Sequence, residues 1–283
     1  MALLTTNSAR RAGHRIIVWV SGTVLAAFAV VPLLWGVSTS FKSVADVYTF
    51  PPKWIPSPVT LANYASVIRN PALVHEFINT LIIASTTTVI ALIISILGGY
   101  GFSRYRFRGR NTLLWTVLLT QLFPRVVVIV PYFVILRNFR LINTYQGLVL
   151  VYLIVVFPVA IWMIKGFFDN LPKEIEEAAI MDGCSILRML WSIIIPMSRP
   201  ALAAVTMYSF ILAYNEFLFA LVFTNGLAKR PLSVGLAFFI DDTGVNWGQL
   251  MAASLLMSLP AIVVFSFAQK LLVRGLSEGA VKG

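Results

Sequence analysis

The chain has 283 residues, 59% of them hydrophobic and 12% charged, about half the charged share of an ordinary soluble domain. A mean hydropathy of +0.86 over 31.3 kDa excludes a soluble fold, which must cover itself with polar groups, and makes this an integral membrane protein. The net charge of +11 lies in short stretches between apolar runs, which argues against a nucleic-acid face, and a single cysteine, Cys184, rules out a disulfide within the chain or a Cys-based metal cluster.

Six apolar runs approach the ~20 residues that cross a bilayer: 16–37, 77–102, 112–136, 146–168, 200–224 and 248–269. The first follows Arg10, Arg11, His14 and Arg15 and is longer than the ~7 to 15 apolar residues of a signal-peptide core, so it reads as a retained helix. Segment 38–76 carries Pro51, Pro52, Pro56, Pro58 and Pro71 and reads as an extended, turning surface loop. Arg104, Arg106, Arg108 and Arg110 follow the second run. The side that holds them collects about twice as many Lys and Arg as the other, so the positive-inside rule places both termini in the cytoplasm.

The third run contains Pro124, which breaks the helical bond pattern, and directly after it Arg125, where polar groups can face a cavity. A central Arg costs roughly 2.5 to 3.5 kcal/mol on insertion scales, so Arg125 either lines a polar path, snorkels, or pairs with Glu216. Tyr132, Phe133, Tyr208 and Phe210 suit packing, lipid contact or stacking on a sugar. In the fifth run Asn215 either lines the path or bonds across helices, and Glu216 is the sole acidic residue inside the six runs. Segment 225–247, on the outer side, holds Lys229, Arg230, Asp241 and Asp242. With no fixed-period repeat or low-complexity linker, residues 1–283 read as one membrane domain.

The chain has no Gly-x-x-x-x-Gly-Lys-Ser/Thr loop to cradle nucleotide phosphates, and its only histidines, His14 and His75, are far apart. No catalytic residue, cofactor site or metal site is therefore expected. A self-sufficient ion-coupled carrier would need more buried carboxylates than Glu216 alone, though an Arg125–Glu216 relay leaves that class open.

The cytoplasmic segment 169–199 gathers Asp169, Glu174, Glu176, Glu177 and Asp182. Pro172 and the acidic residues that follow it suit the first turn of a helix. Ile175, Ala178 and Ala179 share a face, Gly183 permits a turn, and Ile186, Leu187 and Leu190 resume the apolar pattern. Composition alone fits an interfacial helix equally well.

Spacing adds a resemblance. Glu177-Ala178-Ala179, then Gly183, Ile193 and Ile195-Pro196, resembles the EAA loop of permease subunits in ATP-binding-cassette importers, with Ile195 where the family has Leu. Asn79-Thr80-Leu81, Tyr105 to Arg110, Asn143-Thr144, Gly147-Leu148, Tyr214 to Phe217 and the Gly275 to Gly283 tail are similar to the second permease subunit of maltose-type carbohydrate importers. Tyr214 stands where many relatives have Trp.

The resemblance implies an all-α, six-helix type I permease fold in a bacterial or archaeal cytoplasmic membrane. It implies partners too: a second permease subunit, two ATPase subunits that bind ATP and Mg, and an extracytoplasmic sugar-binding protein. It makes Glu177, Ala178, Ala179, Asp182, Gly183, Ile193 and Pro196 the ATPase-coupling residues. Gly279, Ala280, Val281, Lys282 and Gly283 become a tail at the ATPase interface. The candidate path is Arg125, Tyr132, Tyr214, Asn215 and Glu216, and the cargo is a sugar or another solute such as glycerol phosphate.

Overall fold

A computed structural model describes residues 3–241 and 244–280. In chain order the helices are α1 (Leu3–Ser40), α2 (Val44–Val47), α3 (Ala62–Arg69), α4 (Pro71–Arg104) and α5 (Arg110–Leu119). A 3-10 turn leads to α6 (Arg125–Asn138), then α7 (Tyr145–Asp169), α8 (Lys173–Met181) and α9 (Ile186–Met189). A π-helical stretch, Leu190–Ile194, joins α9 to α10 (Ile195–Met197) and α11 (Arg199–Tyr214). After α12 (Leu218–Phe223) and α13 (Leu232–Gly235), a two-stranded antiparallel hairpin pairs Ile240 with Val245, and α14 (Trp247–Ala280) follows.

Four stretches are long and apolar enough to cross a membrane: His14–Ser40, Pro71–Arg104, Tyr145–Asp169 and Trp247–Leu271. Two bent pairs raise the number to six if each is one span, namely Arg110–Leu122 with Arg125–Asn138, bent by 104°, and Ile186–Met197 with Arg199–Tyr214, bent by 83°. The third apolar run is thus broken rather than straight. Phe123 is extended (φ −71°, ψ 127°), the conformation a following proline imposes, and Pro124 has no N–H to continue a helix. The fifth run, expected to continue through residue 224, stops at Tyr214 and restarts at Leu218. The second span begins at Pro71, with Asn70 as its cap, which moves His75 and Glu76 from the expected loop into the helix.

The chain divides into two compact units, one holding the chain up to Arg69 with Phe239–Leu256, the other Asn70–Phe238 with the chain from Met257. In the first, α1 is exposed from His14 to Leu34, an apolar surface that suits lipid rather than water. The segment after α1 is more ordered than a bare loop, because buried Asn63 on α3 donates to the carbonyls of Ser40 and Lys42, both at 2.9 Å. The Lys42 ammonium sits 3.9 Å over the Trp35 ring, which itself packs edge-on against Trp54 at 4.9 Å.

The second unit is built on α4, α7 and α11. Ala91, Ile96 and Tyr100 of α4 meet Val156, Ala160, Ile164 and Phe168 of α7 and Val205 of α11 in one buried cluster. A Cβ at Gly99 would lie 2.7 Å from Ile164 Cγ2, so the absence of a side chain there sets how closely α4 approaches α7. The 173–197 segment joins the same cluster through Ala179, Met189, Leu190 and Ile194, which ties it to the span bundle instead of leaving it at the surface.

Candidate coupling site and translocation path

Helix α8 starts directly after Pro172, with Glu174 and Glu176 in its first turn at the positive end of the helix dipole. It ends in a Schellman motif: Cys184 N–H donates to Ala179 O at 3.0 Å and Gly183 N–H to Ile180 O at 2.9 Å. Gly183 holds φ at +77°, the left-handed region where a side chain is strained. Ser185 then caps α9 by accepting from Arg188 N–H.

The two faces of this helix differ in kind. Inward lie Ile175, Glu176 and Ala179; outward lie Glu177, Ala178, Ile180, Met181 and Asp182, with Met181 87% exposed. Ala179, expected on a docking surface, is turned into the chain's own core, while Ala178 is outside. Ile193 is half-buried against that core, and half-buried Pro196 sits in the first turn of α10. The exposed apolar strip continues through Ile186, Leu187 and Trp191.

Glu176 anchors the inward face. Its carboxylate accepts from Arg104 Nε at 2.6 Å and from the Tyr100 hydroxyl at 3.0 Å, and the Arg104 and Glu176 side chains are each only 9% exposed. Arg104 also donates to Ser103 Oγ and to the Leu171 carbonyl; Ser103 donates to Asp169, which Lys165 pairs at 2.5 Å. Three elements, α4, α7 and α8, are joined by this one polar network.

At the other end of α4 a second network ties down the 225–238 segment. Arg230 meets the fully buried carboxylate of Glu76 at 2.6 Å through Nε, and its guanidinium lies 4.3 Å over the Phe238 ring. Asn79 donates to the Arg230 carbonyl and accepts from the Tyr145 hydroxyl at 2.6 Å, while Thr80 Oγ1 accepts from Leu232 N–H at 2.8 Å. The Asn79-Thr80 pair thus has a structural task, and so does Asn143, whose side chain accepts from Asn225 N–H at 3.1 Å.

Of the five candidate path residues Arg125 and Tyr132 share a cavity, which Tyr214, Asn215 and Glu216 do not line. Arg125 opens α6 and is exposed; with Gln121, Phe123, Tyr132 and Phe219 it lines a cavity of about 190 Å³. Tyr132 stands 6.1 Å from the Phe219 ring. Glu216 is buried and caps α12, accepting from Phe219 N–H at 3.1 Å and Ala220 N–H at 3.2 Å. No ion pair joins it to Arg125. Asn215 donates to Ile211 O of its own helix at 2.9 Å, and Tyr214 is buried with its hydroxyl on Met257 O at 2.8 Å. Of the tail, α14 carries Gly279 and Ala280, and Val281, Lys282 and Gly283 lie outside the described residues.

An all-α architecture with up to six membrane-crossing segments is what the sequence resemblance implied. Residues 88–278 match the family of binding-protein-dependent transport system inner membrane components. The chain belongs to this family. It is 35% identical over 277 residues to the trehalose/maltose transport system permease protein MalG of Thermococcus litoralis, covering 95% of this chain and 97% of that one. It is 32% identical over 268 residues to the diacetylchitobiose uptake system permease protein DasC of Streptomyces coelicolor, covering 94% and 97%. Among solved structures, a chain of a bacterial ABC transporter that imports the acidic polysaccharide alginate superposes with a TM-score of 0.77 at 26% identity, over 90% of this chain and 96% of that one.

The protein is thus a multi-pass permease subunit of the type I ABC importer fold. Sequence reasoning missed Glu176, Arg104, Glu76, Arg230 and Gln121. Glu176 was legible only as a first-turn acid of its helix and the other three only as loop charges, since each ion pair joins residues far apart in the chain. Gln121 had a readable cause: Pro158 in α7 has no N–H for the Ile154 carbonyl, and Gln121 Nε2 donates beside it to Val155 O at 2.9 Å.

Proposed function

We propose that this permease is one of two transmembrane subunits of an ATP-driven carbohydrate importer in the cytoplasmic membrane, with both termini in the cytoplasm. Two ATPase subunits supply the ATP and Mg sites, and an extracytoplasmic binding protein delivers the sugar. The observation that carries the reading is α8, fixed to the bundle by buried Glu176 and Ala179 and offering Glu177, Ala178, Met181 and Asp182 outward. A helix held in this way passes on a push from a docked partner, where an untethered interfacial helix would slide. The carbohydrate assignment is supported by relatives named for trehalose/maltose and diacetylchitobiose and by the alginate importer.

In the proposed cycle, closure of the ATPase dimer moves α8, and the spans switch from facing the cytoplasm to facing the binding protein. Arg125, Gln121 and Tyr132 then supply hydrogen-bond donors, with Phe219 as an aromatic face, along the sugar's route. The tail from Gly279 onward reaches the ATPase interface. The complex, reconstituted in liposomes, is expected to take up sugar only with ATP on the coupling-helix side and loaded binding protein on the other. Uptake by this chain alone under an ion gradient would make it a secondary carrier, and retention of glycerol phosphate by the binding protein would change the cargo.

A further inference from the structure

Helix α4 is unbroken for 34 residues, with its only proline at the start, whereas the third and fifth runs are each interrupted. It carries a buried ion pair near each end. Glu76 and Arg104 are 28 positions apart by number, about 42 Å along a helix rising ~1.5 Å per residue, which exceeds the ~30 Å hydrocarbon core. On a helix near the membrane normal the two pairs therefore cannot both lie inside the apolar layer.

Each pair holds a different moving part. At the cytoplasmic end Arg104 grips α8 through Glu176, with Tyr100, one turn earlier, on the second carboxylate oxygen. At the outer end Glu76 grips Arg230, while Asn79 and Thr80 bond the carbonyl of Arg230 and the N–H of Leu232. Gly235 packs directly on the same carboxylate: a Cβ there would lie 1.8 Å from Glu76 Oε2. Between the grips, close packing at Gly99 stiffens α4 against α7.

We propose that α4 is a strut pinned at both ends, and that through the Arg104–Glu176 and Glu76–Arg230 pairs it carries movement between the coupling helix and the outer 225–238 segment. Arg104, Glu176, Glu76 and Arg230 are then positioning residues for transport, not docking residues. This rests on the ATP-coupled import reading and adds a route for it. Two links in series fail differently from two independent supports. Breaking either stops transmission, and breaking both adds nothing, whereas unrelated sites this far apart give additive effects.

The test uses the complete complex in liposomes and measures how strongly loaded binding protein stimulates ATP hydrolysis. Glu76→Gln and Glu176→Gln are each expected to cut stimulation about tenfold while assembly and basal hydrolysis persist. The double variant is expected to be no worse than the worse single one. Effects that multiply in the double variant, or stimulation unchanged in either single one, would overturn the strut. If a Gln variant does not assemble, Glu76→Asp and Glu176→Asp, which keep the charge and shorten the reach, are compared by the same rule. A complex with no substitution and no stimulation would instead remove the import reading itself.

Discussion

Glu176 and Glu177 are adjacent in sequence and opposite in environment: one is buried against Arg104 and Tyr100, the other is exposed. Glu176→Lys places two cations together in a buried site and is expected to destabilise the protein by about 3 to 5 kcal/mol, the usual cost of breaking a buried pair. Glu177→Lys should leave stability within about 0.5 kcal/mol, as exposed substitutions do. Thermal unfolding of the two purified variants checks the contrast. Arg125 and Glu216 form no ion pair, and the Glu216 carboxylate instead accepts from the α12 amides. Glu216→Ala is expected to cost about 1 kcal/mol, as loss of an N-cap does. A double-mutant cycle on thermal stability should give a coupling below about 1 kcal/mol, and Arg125→Ala should lower sugar uptake without lowering stability. A coupling above about 1 kcal/mol would restore the ion pair. Single residues were the least legible scale, since Arg104 and Glu176 are 72 positions apart and nothing local marks them as partners.

Whole elements were read well where apolar length decides and poorly where a cap does. The runs at 16–37, 77–102, 146–168 and 248–269 each fall within a helix. The break at residues 120–124 was readable from Pro124, whereas the one at 215–217 escaped notice because the flanking residues remain apolar and hydropathy averages over them. The second depends on Glu216 turning back to cap α12, which a lone acid in an apolar run does not announce. Helix α8 was legible because its signals are local: Pro172 at the start, acids in the first turn and Gly183 at the end. Its inward face was not, since Ala178 and Ala179 are alike until the bundle buries one of them. Gly183→Ala is expected to cost about 1 to 2 kcal/mol from the left-handed conformation alone, because a Cβ there meets open space. Gly183→Asn should cost less, as Asn tolerates that region, and equal losses in thermal stability would contradict this account.

At the scale of the molecule, the sequence's excess of apolar residues and its basic clusters translate into a bundle whose two ends are tied by ion pairs rather than by apolar packing alone. The N-terminal helix leaves apolar side chains such as Trp19 and Phe28 exposed, as a helix in lipid requires. Deleting Gly279 to Gly283 is expected to reduce stimulated ATP hydrolysis more than it reduces assembly, measured on the truncated complex. The central claim is that the outward face of α8 receives force from an ATPase, and charge reversal at Glu177 tests it most directly. In membranes that contain the whole complex, co-purification of the ATPase with the permease is measured beside sugar uptake. Glu177→Lys should weaken ATPase capture by at least about 1 kcal/mol, or roughly fivefold, and abolish uptake while the permease stays folded in the membrane. Undiminished capture together with normal uptake would contradict the account.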